Sequence, residues 1–436
     1  MYTKQQKELI FLLKNDSLPY VELSILPKDI LIHKSTKMSF EHYQGGKEMR
    51  KQSKIFSLLA IALAFALVVA GCGGAKPAPA EPGSSDVIKI GIFEPLTGDN
   101  AAGGQMTLEG MELANKLYPE VLGKKVELVV VDNKSDKAEA ANAVSRLIDN
   151  DKVSVILGSY SSGLSMAGGQ IAKDKGVPVI GCSPTNPLVT LDNDYYFRVC
   201  FIDPFQGAVM ANYAINELGI TKAAIIKENG SDYSVGLARF FYNAFTEAGG
   251  EIVADIDYQK GDNDFTAQLG SINSAGPEVI FSPGDFGPSA LLIKQAREMG
   301  IEVPFLGGDT WEVGEFLELG GAEVEGATYS SHFTADEPAT EMTQTFLDAF
   351  KAEYPEQNPN AFAALGFDTY ILALDAMTRA ESAEPAAIKD ALAQTTDFVG
   401  ATGIITLDEN GDATKSAVVN QVVDGAFTFK MIIEPK

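Results

Sequence analysis

Basic charge and histidine are scarce in this 436-residue chain: 34 Lys and Arg stand against 59 Asp and Glu, for a formal charge of −25, with only three histidines. Such a surface argues against nucleic acid, whose binding depends on neutralising phosphates. Three cysteines are too few for a disulfide scaffold. Nucleotide-binding loops are missing as well. The Gly-Lys pairs, Gly46-Lys47 and Gly123-Lys124, do not continue to Ser or Thr, and from residue 86 onward no two glycines stand two apart. Both the phosphate loop and the G-x-G-x-x-G fingerprint are therefore absent. The segment GSYSSG at 158–163 has the wrong spacing for a G-x-S-x-G nucleophile elbow. Beyond residue 72, His332 is the sole histidine, so a Ser-His-Asp triad or a His-rich metal site would have to use it. Cys182 and Cys200 show no metal-ligand pattern, and their spacing neither demands nor excludes a bond. With no catalytic cluster, cofactor loop or metal set in view, the chain reads as a binder rather than an enzyme.

What is present begins with an export signal. Arg50, Lys51 and Lys54 precede an uncharged apolar run, Ile55 to Ala70, which is followed by Gly71 and Cys72. That is the layout of a cleaved signal, and the run is short for a spanning helix, which needs about 20 apolar residues. The end of the run, Val69-Ala70-Gly71-Cys72, resembles a bacterial lipobox, whose cysteine carries the lipid and becomes the mature N-terminus. The expectation is a protein exported and held on the outer face of the cell membrane through lipid on Cys72. Met49 stands just before the basic stretch, so residues 1–48 read as an upstream extension or a mis-called start, 49–71 as signal peptide and 72–85 as a Pro/Ala/Ser-rich tether.

From Val87 on, short β-branched runs at 87–93, 126–131, 153–158, 177–180, 222–226, 278–281 and 303–306 alternate with amphipathic segments at 137–149, 204–218, 234–248 and 287–299. This pattern means βαβ units and parallel sheets covered by helices. The length and the number of strands exceed one core, which predicts an α/β protein of two doubly wound parallel-sheet lobes. Ligands of such sheets bind at loops leaving the carboxyl ends of strands. Those loops hold Glu94–Gly104 with its turn residues, Tyr160 and Ser162 at a helix start, Ser183 and Thr185 between prolines, Asp285, and Asp309 beside Trp311, the only tryptophan. Hydroxyls at a helix N-terminus form an anion site without any Lys or Arg. A loop carboxylate such as Asp309 satisfies a ligand ammonium, and Trp311 offers an apolar wall or a cation–π face. The set complements a zwitterionic α-amino acid.

The segments IKIGIFEPLTGDNAAGG, ILGSYSSG, GVPVIGCSPTNP, YYFRVCFIDPFQG, GPSALLIKQAREMG, FLGGDTW and AFAALGFDTY resemble the leucine/isoleucine/valine-binding protein family, the type I periplasmic binding proteins of ABC importers. The resemblance implies two lobes joined by a three-strand hinge, 86–204 with 333–410 and 205–332 with 411–436. It further implies an amino-acid ligand, branched-chain by type, a permease with its ATPase as partner, and a monomer. By matching positions it assigns the ligand carboxylate to Ser162, with Ser183 and Thr185 on the next loop, the ammonium to Asp309, and closure over the ligand to Tyr233. Tyr160, Phe362 and Trp311 become candidates for the side-chain pocket. Two positions depart from the family. Gly103 replaces an aromatic and leaves room, and Asp285 stands where Tyr is common, which favours a polar or cationic ligand unless Phe286 takes the aromatic role. A ligand-sensing receptor of the same fold is the alternative use.

Overall fold

The computed structural model describes residues 87–435. The segments expected as signal peptide and tether, and the lipidation candidate Cys72, lie outside the described residues. The first sheet is built from β1 (Val87–Ile92), β2 (Glu120–Val121), β3 (Lys124–Val130), β4 (Val155–Leu157), β5 (Val179–Gly181) and β6 (Tyr196–Arg198), in the order β2-β3-β1-β4-β5-β6. Its pairs are parallel except for the short β2–β3 edge. β4 and β5 are buried along their whole length, which accounts for their unbroken apolar sequences VIL and VIG.

The second sheet takes β7 (Lys222–Asn229), β8 (Glu251–Gln259), β9 (Val279–Phe281), β10 (Phe305–Gly307) and β11 (Thr328–Ser331). A small sheet of β12 (Phe398–Gly400), β13 (Gly403–Leu407) and β14 (Ala413–Thr414) follows, and then the hairpin β15 (Ala417–Val423) and β16 (Ala426–Ile433). The hairpin joins the second sheet in the order β16-β15-β11-β10-β9-β7-β8. The antiparallel pairs β11–β15 and β15–β16 extend this otherwise parallel sheet at one edge. β8 and β16 escaped the apolar-run reading because they are edge strands with one wet face; β16 alternates exposed and half-buried residues throughout.

The amphipathic segments fold as helices close to the expected bounds: Lys137–Arg146, Asp203–Asn212, Asp232–Glu247 and Phe286–Glu298. The apolar helix Ala361–Ala380 is buried against Ala101–Leu117 and forms the spine of the first layer. The chain moves between the layers of the two sheets three times: after β6, after β11 and between β14 and β15. In each sheet the strand order reverses at the first strand, β1 or β7, so the loops from the carboxyl ends of neighbouring strands part there and open a crevice. The two crevices face each other, since loops from both sheets line one cavity.

Candidate functional site

On the first sheet's side, the loop after β4 runs into the helix Ser162–Lys175. Ser161 stands at its N-cap but accepts no hydrogen bond from the first turn, whereas Ser231 caps Asp232–Glu247 and Asn360 caps Ala361–Ala380. The leading N–H groups of that helix thus keep their capacity for an acceptor, at the positive end of the helix dipole. Ser162 Oγ accepts from Asn186 N–H at 3.2 Å, and Ser183 Oγ donates to Tyr160 O at 3.2 Å, so the loops after β4 and β5 are tied together. Beneath them Glu94 is fully buried and accepts from Tyr160 N–H at 2.8 Å. Burial pushes its carboxyl up to about 8, against the opposing hydrogen bonds from Tyr160, Cys182 and Ser159.

On the second sheet's side, Asp309 opens a short turn directly after β10. Its Oδ1 accepts from Gln206 Nε2 at 2.7 Å and Tyr233 OH at 2.9 Å, and its Oδ2 lies 3.1 Å from His332 Nε2. Burial alone would raise this carboxyl; the His332, Gln206 and Tyr233 donors outweigh it and hold Asp309 below the ordinary carboxylate range. Asp309 is therefore an ionised, buried acceptor. Asp285 precedes the helix Phe286–Glu298 and accepts from Asn100 Nδ2, on the opposite layer, at 2.9 Å. Burial raises this second carboxyl.

Other contacts also cross from one layer to the other. Lys137 pairs with Asp232 at 2.6 Å, Lys260 with Asp99 at 3.0 Å, and Asn186 Nδ2 donates to Asp232 O at 2.7 Å. The two layers are thus drawn together over a small cavity lined by Tyr160, Ser162, Ser183, Tyr233, Asp285 and Asp309, with Ser161 and Thr310 completing the wall. A larger cleft of about 670 Å³ lies between the same layers, bordered by Met106, Glu109, Glu315 and Phe333 among others. The hydroxyls, the uncapped helix start and Asp309 converge on the smaller cavity, so that one has the complementary charge pattern.

Three of the expected site residues stand back from that cavity. Trp311 is fully buried, stacked on Phe316 at 4.9 Å between ring centroids, and its indole fills the space beside Gly307, where a Cβ would come within 2.3 Å of the ring. It is a core residue of the second layer rather than a pocket wall. Phe362 sits behind Tyr160, edge to face at 4.9 Å. Thr185 is buried, its carbonyl accepting from Asp203 N–H at 2.9 Å. The room expected at Gly103 is not open either, because the Tyr160 ring occupies it; a Cβ there would meet Cε2 at 2.1 Å. Gly103→Val should therefore displace Tyr160, lower stability by about 1–3 kcal/mol as overpacked sites do, and deform the cavity wall. Urea unfolding and ligand titration of the variant check both effects.

Sequence reading included Glu94 and Asn100 only as members of the Glu94–Gly104 loop, without a role of their own, and missed Gln206 and the hub residue Arg198. Arg198 is fully buried and donates to Asp412 Oδ1 at 2.6 Å, Pro184 O at 2.6 Å, Asn186 O at 2.8 Å and Thr190 Oγ1 at 2.9 Å. It fixes the loop that carries Ser183 and Thr185. Cys182 and Cys200 are free, buried thiols. Among the described residues no group of His, Cys, Asp and Glu could hold a metal ion.

A family model described as periplasmic binding protein matches residues 87–426. A crystal structure of a leucine-binding protein from Thermotoga maritima is 42% identical, with a TM-score of 0.78, over 80% of this chain and 99% of that one. A branched-chain amino acid transporter substrate-binding protein from Streptococcus pneumoniae, solved in complex with isoleucine, is 34% identical, with a TM-score of 0.75, over 80% of this chain and 100% of that one. Among curated relatives, Leu/Ile/Val-binding protein homolog 3 of Brucella melitensis is 27% identical over 335 residues, 74% of this chain and 88% of its own length. These relatives are solute-binding proteins, not enzymes.

Proposed function

As the chain belongs to the periplasmic binding protein family, we propose that it is the lipid-anchored substrate-binding protein of an ABC importer, taking up an amino acid of branched-chain type and delivering it to a permease and its ATPase. In this reading Cys72 carries the lipid and the protein acts as a monomer. Residues 86–204 with 333–410 form one lobe and 205–332 with 411–436 the other. The ligand carboxylate meets Ser162, the uncapped helix start and the Ser183–Thr185 loop. Its ammonium meets Asp309, with Tyr233 closing over it and Tyr160, backed by Phe362, beside the side chain.

The observation that carries the reading is the opposition of an ionised, three-donor-held Asp309 to a helix N-terminus that no side chain caps. A zwitterion is the smallest molecule that satisfies both ends. Each end is a charge-assisted hydrogen-bonding site, worth roughly 1.5–3 kcal/mol. With a buried side chain, the sum reaches the about 8 kcal/mol of a micromolar complex. The pairs that bridge the layers add little, because Lys137–Asp232 and Lys260–Asp99 are exposed, and such pairs contribute about 0–1 kcal/mol. Closure is then driven mainly by the ligand touching both lobes, which shifts the population toward the closed state.

Asp285 supports a second reading. A carboxylate on the cavity wall, accepting from Asn100 of the other layer, favours a side chain that donates a hydrogen bond over an aliphatic one. A thermal-shift panel of the amino acids separates the two, since a ligand that binds only the native state raises the melting temperature. Stabilisation by leucine, isoleucine or valine supports the branched-chain reading. Stabilisation only by polar or cationic amino acids transfers the specificity to Asp285, and silence across the panel rejects the amino-acid reading.

A further inference from the structure

His332 lies at the second crossing between the two layers, one residue beyond β11, and is 2% exposed. Its ring stacks on Phe201 of the first crossing, at 3.8 Å between centroids. Nε2 is 3.1 Å from Asp309 Oδ2, while Nδ1 is buried with no hydrogen-bond partner. Because Asp309 is ionised it can only accept, so the proton of the neutral ring sits on Nε2 and the lone pair on Nδ1. A second proton would enter at Nδ1, where nothing accepts it. Burial first, and then the positive Lys415 from the third crossing, press the ring toward its neutral form; Asp309 pulls the other way and does not prevail, leaving His332 below the ordinary histidine range. Of the other charged groups nearby, Asp203 on the helix Asp203–Asn212 and Glu312 after the Asp309 turn are themselves raised, by burial first, and the Asp309 charge adds to that rise. Lys415 itself is buried, its Nζ donating to Thr402 Oγ1.

Given a ligand whose ammonium meets Asp309, as proposed above, we infer that His332 is a positioning residue of the ammonium site and makes binding proton-linked. Neutral, it donates to Asp309 Oδ2 and aims the carboxylate. Protonated, it forms an ion pair with Asp309 and competes with the ammonium for the same charge. The sign follows from linkage: ligand binding favours the neutral ring, so acidification through the His332 midpoint, below about pH 6.5, weakens binding by up to about tenfold per pH unit.

The test is calorimetric titration of the full chain with isoleucine, or with the amino acid the panel selects, at about pH 7.5 and about pH 5. Wild type should bind more weakly at the lower pH. His332→Gln keeps an N–H donor that does not titrate; it should recover more affinity than His332→Leu and lose the His332 part of the pH dependence. An unchanged pH slope in His332→Gln would overturn the inference while leaving the amino-acid reading intact. Failure of wild type to bind any amino acid at about pH 7.5 would instead reject that reading and this inference with it. A ligand-free measurement keeps the two apart. The imidazole proton resonance missing from His332→Gln should titrate below the ordinary histidine midpoint, and lower still in Asp309→Asn. An unmoved midpoint in Asp309→Asn would break the pairing without reference to any ligand.

Discussion

Asp309→Asn should abolish amino-acid binding at ordinary concentrations while the protein stays folded. The substitution keeps the shape of the side chain and removes its charge. Truncating one partner of a buried, hydrogen-bonded charge pair costs about 2–5 kcal/mol, so the dissociation constant should rise by about one and a half to three and a half orders of magnitude. Asn rather than Ala is the informative replacement. Gln206 Nε2, Tyr233 OH and His332 Nε2 all donate to Asp309. An alanine would leave those three donors facing a void, each at about 1–3 kcal/mol, and would confuse lost binding with lost stability. Calorimetry and a circular-dichroism melt on the same sample separate the effects. Near-wild-type affinity in a folded Asp309→Asn would remove Asp309 from the ammonium site.

Arg198→Met should be the most damaging single change to stability at the site. The guanidinium is completely enclosed and its donors are spent on Asp412, two loop carbonyls and Thr190. Removing one partner of a buried ion pair costs about 3–5 kcal/mol, since the other is left uncompensated. Here Asp412 would be that group, and the carbonyls of Pro184 and Asn186 would lose their donor too. The urea midpoint should drop accordingly, and ligand affinity should fall with it because the Ser183–Thr185 loop loses its anchor. Adding Asp412→Asn to Arg198→Met should recover part of the stability, as expected when the penalty is the stranded charge. Strict additivity of the two losses would contradict that explanation.

Much of the fold is legible in the amino-acid sequence. The buried strands β4, β5, β9 and β10 announce themselves as short apolar runs because both faces are covered. The helices are legible from their three-to-four spacing. Edge strands are not: β8, EIVADIDYQ, carries charges on its exposed face, and its strand nature depends on having β7 beside it. The site divides along the same line. Ser162, Ser183 and Asp309 follow strand ends, and a residue's place after a strand is local information. Asn100 and Gln206 act through partners 185 and 103 residues away, Asp285 and Asp309 respectively. No window of sequence contains those pairs. Trp311 misleads for a related reason. A lone tryptophan beside an acid suggests a ligand wall, but the vacancy left by Gly307 takes the indole into the core instead. Gly103 and Tyr160 make a comparable pair, in which the missing side chain on one loop is the seat of a ring from another.

Binding of both charged ends of one amino acid in the cavity between the layers is tested most directly by comparing three ligands on the wild-type protein by calorimetry. One is isoleucine, or whichever amino acid the thermal-shift panel selects. The second is its amide, which lacks the carboxylate. The third is the corresponding acid without the amino group. The amino acid should bind, and each analogue should lose about 2–5 kcal/mol, the amide through Ser162 and the uncapped helix start, the acid through Asp309. A deaminated acid that binds as tightly as the parent amino acid would contradict the ammonium site and turn the cavity into a plain carboxylate receptor.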